Sequence, residues 1–285
     1  MTTLTSPRVT LPTVTLPTVE IDAMTTRTKA TWMAGDFGKI AKSYEPGAAA
    51  FIANLNIQRG DRVLDVACGT GNLTIPAART GAHVTGIDIA PNLLEQAQDW
   101  AHAEGLSIRF EEGNAEQLPY PDASFDIVVT MFGAMFASRP DAVAAELVRV
   151  TQPGGRIAMA NWTPDGFIGQ MFKIVAKHVP PAPGMPSPLL WGVEATVAER
   201  LGSQIAGMTC TPRTITFDFP FDPAATVEAF RVFYGPTLRA FDSLSPEGQQ
   251  MLRSDLEQLW TQHNRSQDGT TRVDSTYLEV IAVRK

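Results

Sequence analysis

Two strand-and-turn segments, one short unit apart, constrain the fold of this chain most strongly. Residues 63–72 read VLDVACGTGN and predict a buried strand that runs into a tight turn containing glycine. Residues 84–88 read VTGID and predict a second strand with a carboxylate, Asp88, at its end. In an open α/β sheet such strand ends lie side by side, where these sheets bind nucleoside-containing ligands. Glycine allows the backbone close to a ligand, and Asp88 is placed to accept hydrogen bonds from ribose hydroxyls.

Three further segments extend this pattern in a fixed order along the chain. They are residues 112–119 (EGNAEQLP), 124–129 (SFDIVV) and 153–156 (PGGR). Together with the first two segments, they resemble the class I S-adenosylmethionine (SAM) dependent methyltransferases over roughly residues 30–162. Within that family the chain is most similar to the generic bacterial small-molecule enzymes near the ubiquinone and menaquinone C-methyltransferases.

A dinucleotide site is the rival interpretation of the glycine turn. Its fingerprint has a third glycine three residues after the second, which lets helix and strand pack closely. Here Gly71 is followed by Asn72, Leu73 and Thr74, so that glycine is missing. Asp65, at the fourth position before Gly69, also fits the methyltransferase pattern better.

Composition excludes several other classes of function. A net charge of −7 without any Lys/Arg-rich run argues against a nucleic-acid partner. Cys68 and Cys210 are the two cysteines, too few for a disulfide framework or a zinc cluster. No signal peptide or membrane-spanning run is evident, and no membrane partner is expected. These features predict a cytoplasmic enzyme.

The chain divides into a leader and one domain. Residues 1–23 are Thr/Pro-rich, contain the tandem repeat VTLPT, and are expected to be disordered or extended. Met24 is the expected functional start, and a docking role for the leader is the alternative. Residues 24–285 form a single methyltransferase domain, with a helical lid at 29–55, a SAM-binding core at 56–162, and a proline loop and helical substrate cap within 163–270.

The resemblance implies a Rossmann-like α/β fold whose seven-stranded sheet is mostly parallel, with the last strand antiparallel and helices on its flanks. The alternation of apolar and helical patterns predicts strands at about 62–67, 83–88, 107–112, 125–131, 154–161, 211–219 and 275–283. Between the sixth and seventh strands, residues 223–264 look helical and are interpreted as a cap over the substrate side. A dimerisation element, which would make the protein a homodimer, is the alternative.

The same resemblance implies SAM as donor, S-adenosylhomocysteine (SAH) as product, and a set of donor-binding residues. Asp65 is expected near the methionine end, Asp88 on the ribose and Ile89 on the adenine. Asn114 stands where many relatives carry aspartate, and its amide oxygen would accept the same hydrogen bond from the adenine. The full set is Asp65, Ala67, Gly69, Thr70, Gly71, Asp88, Ile89, Asn114, Ala115, Thr130 and Met131.

Methyl transfer is an in-line displacement on an activated donor, so catalysis is expected mainly from positioning and the exclusion of water. A general base is needed only if the acceptor must lose a proton, and His178 and Asp165 are the candidates. No magnesium-binding constellation is evident, and no metal is predicted. Six aromatic residues predict a small, apolar or aromatic acceptor: Trp32, Phe132, Phe136, Trp162, Trp191 and Tyr234.

Two other functions remain open at this point. A catalytically silent SAM- or SAH-binding regulator would carry the same donor motif, because binding needs fewer features than turnover. A methyltransferase of a protein or RNA would share it as well. A closed acceptor pocket beside the donor favours the small-molecule enzyme, and a broad basic groove favours the macromolecular one.

Overall fold

One seven-stranded sheet organises the described part of the chain. The structure, a computed structural model, describes residues 18–182 and 184–285. Its strands are β1 Arg62–Val66, β2 His83–Asp88, β3 Arg109–Glu112, β4 Phe125–Met131, β5 Thr151–Trp162, β6 Ile205–Phe219 and β7 Thr271–Arg284. They lie in the order β3-β2-β1-β4-β5-β7-β6. All neighbouring pairs are parallel except those of β7, which runs antiparallel to β5 and β6, as predicted.

Helices flank the sheet, and most begin where the sequence supplies a start signal. They are α1 Thr18–Trp32, α2 Phe37–Ala41, α3 Glu45–Asn54, α4 Thr74–Arg79, α5 Pro91–Ala103, α6 Pro140–Val150, α7 Phe167–His178, α8 Glu194–Leu201, α9 Pro223–Phe233, α10 Gly235–Asp242 and α11 Pro246–His263. Six of them have proline in the first turn, where its missing N–H costs no hydrogen bond. Among the described helices, none has the length and apolar character needed to cross a bilayer.

The central strands are buried because helices cover both faces of the sheet. Val63, Leu64 and Val66 of β1 are fully inaccessible, as expected for the middle of a parallel sheet. The predicted helical insertion between β6 and β7 is present as α9, α10 and α11. It packs firmly onto the domain, because the buried ring of Trp260 lies 4.5 Å from that of Phe167 in α7.

The amino-terminal boundary differs from the prediction. Residues 1–17, with most of the VTLPT repeat, lie outside the described residues. Residues 18–23, predicted as part of an extended leader, instead form the first turns of α1. Pro17 is the last proline before Pro46, so nothing in residues 18–32 prevents a helix. The lid predicted at 29–55 therefore starts eleven residues earlier (29 minus 18) and consists of α1, α2 and α3.

Three strands are longer than predicted. β5 begins at Thr151, three residues before its predicted start at about 154, and passes through Pro153, Gly154 and Gly155. There the chain accommodates an irregularity, because the β4–β5 register shifts between Phe125 and Ile127 and Gly154 has a φ of +77°. β6 and β7 extend beyond their predicted apolar segments because they pair with each other over most of their lengths.

Candidate functional site

The carboxyl ends of β1, β2, β3 and β4 border a cavity that α1 and α2 cover. It encloses about 920 Å³ of empty space, including its opening to solvent. Asp65, Asp88 and Met131 reach it from the strands, while Thr28 and Trp32 reach it from α1. This strand-end cavity lies where open α/β sheets bind their ligands.

The turn after β1 is held close against the neighbouring strand and helix. The Cys68 N–H donates to the carbonyl oxygen of Ile87 at 3.0 Å, and the Gly71 N–H donates to that of Cys68 at 2.9 Å. A Cβ on Gly71 would lie only 3.4 Å from the Ala97 Cβ of α5, and its φ is +90°. Glycine is therefore favoured at position 71 mainly by its positive φ, and this residue does not line the strand-end cavity.

Asp88 fixes the β2 end of the cavity. Its Oδ2 accepts a hydrogen bond from the Gly69 N–H at 2.8 Å, and its Oδ1 accepts one from the Ala90 N–H at 2.9 Å. Burial raises the pKa of this carboxyl, and the backbone donors oppose that shift. Each oxygen keeps a lone pair beyond its backbone partner, so the carboxylate can also accept hydrogen bonds from ligand hydroxyls.

Asp65 is the second buried carboxylate of the cavity. Its Oδ2 accepts a hydrogen bond from the Thr74 hydroxyl at 2.5 Å. Burial raises the pKa of Asp65 to about 7, the Thr74 hydrogen bond lowers it, and the nearby charge of Asp88 raises it. A cationic group in the cavity would relieve this desolvation, so the arrangement suits a ligand that carries an ammonium group.

The segment after β3 supplies a polar side chain that is already engaged within the protein. Asn114 Oδ1 accepts a hydrogen bond from the Glu116 N–H at 3.0 Å, which leaves one lone pair for a ligand. Glu116 is buried and ion-paired with Arg139, whose Nε lies 2.8 Å from its Oε2. Both residues line the cavity, but the Glu116 charge is neutralised inside the protein.

The backbone is closely packed at the end of β4. Gly133 follows the strand, and a Cβ there would lie 2.6 Å from the backbone oxygen of Ala67. Phe132 and Ala67 both have positive φ, +54° and +56°, a conformation that clusters at functional sites. Thr130, in contrast, is buried away from the cavity and accepts a hydrogen bond from the Ala134 N–H at 3.3 Å.

Nine of the eleven predicted donor-binding residues line the strand-end cavity, and Gly71 and Thr130 do not. The structure adds residues that sequence reasoning missed, among them Thr25 and Thr28 of α1, Asn72 after the glycine turn, and Ser138 before α6. The proline-free stretch after Pro17 could have indicated a helix that carries both threonines. The predicted leader instead extended to residue 23, into that stretch.

Two further cavities adjoin the strand-end cavity. The aromatic cavity lies among Trp32, Tyr44, Phe132, Trp162 and Tyr234. The side cavity lies between α1, α7, α10 and the proline loop, and encloses about 1540 Å³ including its mouth. Its walls are mainly apolar, and Arg27 and Lys173 stand among them. Trp32 borders all three cavities.

Five of the six predicted acceptor aromatics line these cavities: Trp32, Phe132, Phe136, Trp162 and Tyr234. Phe132 and Trp162 are stacked, with ring centroids 3.5 Å apart. Trp191 does not border them. Its buried ring lies under the guanidinium of Arg200, whose Cζ is 4.6 Å from the ring centroid.

The two candidate bases lie elsewhere. His178 Nε2 is 2.8 Å from Asp255 Oδ2, a contact that links α7 to α11. Asp165 is fully exposed, with Lys173 Nζ 3.6 Å from its Oδ1. Neither residue lines the strand-end, aromatic or side cavity. Across residues 18–182 and 184–285, no three His, Cys, Asp or Glu side chains are grouped as they would be around a metal ion.

Comparisons with known proteins agree with this geometry. Residues 63–155 match a family described as a methyltransferase domain. An uncharacterized protein of Mycobacterium tuberculosis is 38% identical over 244 residues, which cover 84% of this chain and 89% of the relative. The demethylmenaquinone methyltransferase of Deinococcus radiodurans is 43% identical over 127 residues, 43% of this chain and 53% of the relative. The chain belongs to the class I SAM-dependent methyltransferases.

Solved structures share the fold of this methyltransferase. The YcgJ protein of Bacillus subtilis superposes with a TM-score of 0.56 at 18% identity, covering 84% of this chain and 97% of that one. Phosphoethanolamine N-methyltransferase 2 of Haemonchus contortus, solved with SAM, gives a TM-score of 0.54 at 17% identity over 84% of this chain and 52% of that one. At these identities the likeness concerns the fold alone.

Proposed function

We propose that this enzyme methylates a small, apolar or aromatic acceptor held in the aromatic and side cavities. The observation that carries the proposal is that Trp32 borders three cavities. One is lined by three buried carboxylates, of which Glu116 is ion-paired with Arg139, and the other two have mainly apolar walls. Deep apolar cavities with few polar groups suit small lipophilic molecules. Macromolecular acceptors fit less well, because Arg27 and Lys173 are the two cations among the otherwise mainly apolar walls of the side cavity.

The strand-end cavity is assigned to the donor. Asp88 would accept hydrogen bonds from the ribose hydroxyls, since each of its oxygens keeps a free lone pair. Asp65 would face the methionine ammonium, which offsets the cost of burying its charge. Ile89 and Ala115 would pack beside the adenine. When bound, SAM supplies an electrophilic methyl group on a sulfonium.

The chain's own contribution is to hold the acceptor and exclude water. α1 closes the strand-end cavity through Trp32, whose ring lies 5.1 Å from that of Phe136 and 5.8 Å from that of Tyr234. Lys29 of α1 also forms an ion pair with Glu112 at the end of β3. Such closure removes water and fixes the distance between reactants, which is the main catalytic requirement for an activated donor. We assign no general base, because His178 and Asp165 line none of the cavities, so a phenolic acceptor would have to lose its proton to solvent before methyl transfer.

The acceptor assignment rests on the cavities and not on the relatives. The match to the demethylmenaquinone methyltransferase covers 43% of this chain. That enzyme's substrate supports a lipophilic aromatic acceptor only as an analogy.

The test is a turnover assay with SAM carrying a radiolabelled methyl group and a panel of naphthols and hydroquinones. We expect acceptor-dependent SAH release, and its loss in Asp88→Asn. A matched panel of sugars and peptides should give none. SAH binding without turnover on any lipophilic acceptor would favour the silent binding protein, and turnover on peptides or RNA would favour the macromolecular enzyme.

A further inference from the structure

Two of the four tyrosines of the chain stand at the junction between the donor and acceptor cavities. Tyr44, between α2 and α3, borders the strand-end cavity and the aromatic cavity. Tyr234, between α9 and α10, borders the aromatic cavity and the side cavity. Both are buried, with 5% and 6% of their surface exposed. The aromatic cavity therefore has one tyrosine on its donor side and another on its acceptor side.

Neither hydroxyl forms a hydrogen bond within the described part of the chain, and neither is among its fully inaccessible unpartnered side-chain atoms, so each keeps some accessible surface. Of the other two tyrosines, Tyr120 donates its hydroxyl hydrogen to Glu111 Oε2 at 2.7 Å, whereas the hydroxyl of the buried Tyr277 has no partner in the described residues. Buried hydroxyls normally find a partner, because leaving one unmade costs the desolvation of the group. Tyr44 and Tyr234 differ from Tyr277 in bordering the cavities, so their hydroxyls are free to bind a ligand atom there.

Burial also determines the protonation state of the two hydroxyls. Burial raises the pKa of Tyr44, and burial together with the charge of Tyr44 raises the pKa of Tyr234. Both phenols therefore stay protonated at neutral pH and keep a hydrogen to donate. They are suited to bind an acceptor atom rather than to remove a proton from it.

We propose that the hydroxyls of Tyr44 and Tyr234 bind an oxygen of the acceptor, which makes oxygen-bearing aromatics such as phenols and hydroquinones the substrate class. The inference rests on the proposed function. The rings around Tyr234 suit a planar molecule, because Trp32 and Phe37 lie 5.8 Å and 6.1 Å from it. A phenolic oxygen can accept from one tyrosine and donate to the other. A site built this way discriminates strongly against an analogue that lacks the oxygen.

Binding of 2-naphthol and naphthalene to the full-length, SAH-loaded protein tests the inference, with equilibrium dialysis as the readout. These probes differ by one hydroxyl. We expect the ratio of their affinities to fall about tenfold in the double variant Tyr44→Phe, Tyr234→Phe, and less in Tyr234→Phe alone. The naphthalene affinity should stay within about twofold, since the rings remain.

Tyr277→Phe is the matched control, because Tyr277 is buried beside Phe132 but lines none of the three cavities. It should keep the native ratio. An unchanged ratio in the double variant would overturn the tyrosine inference and leave the apolar acceptor standing. Failure of both probes to bind the SAH-loaded protein would overturn the inference together with the proposed acceptor class. SAH calorimetry on Tyr234→Phe verifies that the variant is folded.

Discussion

The Asp88 carboxylate and the Gly69 amide are joined by a 2.8 Å hydrogen bond that ties the end of β2 to the turn after β1. The other oxygen of Asp88 accepts from the Ala90 N–H at 2.9 Å. Both oxygens of this side chain thus act as acceptors for backbone donors. The shape of the strand-end cavity depends on a residue with two acceptor oxygens and no donor.

The first prediction concerns Asp88→Asn. An amide would turn its NH2 group toward one of the two backbone N–H groups, so one hydrogen bond is lost and two donors face each other. We expect SAH to bind at least about tenfold more weakly, measured by titration calorimetry, because a hydrogen bond to a charged group contributes about 1–3 kcal/mol.

Asp126→Asn is the control for this variant. Asp126 is held by Arg62 at the opposite end of the sheet, with Arg62 Nη2 3.0 Å from its Oδ1. It should leave the SAH affinity unchanged. If both variants weaken SAH binding equally, the effect reflects general destabilisation, and Asp88 does not bind the ribose hydroxyls specifically.

The second prediction concerns Gly133→Ala. Its φ of −112° is open to any residue, so the effect of the substitution is purely steric. The new methyl would lie 2.6 Å from the Ala67 oxygen and force the ends of β1 and β4 apart. We expect the free energy of unfolding to fall by about 1–3 kcal/mol in urea titrations and SAH affinity to fall with it. Gly207→Ala, with no heavy atom within 4 Å of the new Cβ, should change neither.

The third prediction is a pH dependence of stability that arises from Asp65. Its pKa is raised to about 7 from an ordinary value of 3.8. Between those values the native protein keeps a proton that the unfolded chain has lost, so the contribution of Asp65 to stability falls as the pH rises. Asp65→Asn keeps an acceptor for Thr74 and removes the titration. It should gain about 2–4 kcal/mol relative to the native protein from pH 4 to 7.

The titration of Asp65 should also affect the affinity for SAH. An ammonium group near Asp65 favours the charged carboxylate, so SAH affinity should increase as the pH rises through about 7. Calorimetry at several pH values should show this trend in the native protein and lose it in Asp65→Asn. If the two proteins gave parallel pH profiles of SAH affinity, Asp65 would not contact the methionine end of the donor.

The fourth prediction separates His178 from the chemistry. His178→Ala removes the 2.8 Å contact with Asp255, which joins α7 to α11. Thermal unfolding should occur at a lower temperature, corresponding to about 1 kcal/mol, while SAH affinity and methyl transfer stay unchanged. Loss of turnover with intact SAH binding would instead indicate that His178 takes part in catalysis.

Sequence reasoning worked where local signals carry the structure. The apolar segments and glycine turns predicted the strand ends that hold Asp65 and Asp88, because a parallel sheet brings those ends to one edge. It failed at the limits of local signals. The predicted leader extended to residue 23, past the start of α1 at Thr18. The predicted β6 and β7 were too short, because their outer halves are stabilised by pairing with each other rather than by apolar composition.

The acceptor side depends on contacts between distant parts of the chain. Trp32 and Tyr234 meet because α1 packs on the α9–α10 junction, where a Cβ on Gly235 would lie 2.0 Å from the backbone oxygen of Thr31. No periodicity predicts such a contact. For the same reason, Trp191 looked equivalent to the other aromatics in the sequence yet lies against Arg200.

The most direct test of the account is a calorimetric titration of the native protein with SAH, repeated with Asp88→Asn. We predict saturable binding at one site per chain, accompanied by a rise in unfolding temperature that follows the ligand concentration, and strong weakening in the variant. A folded native protein that gives neither heat nor a thermal shift with SAH or SAM would contradict the assignment of the strand-end cavity to the methyl donor.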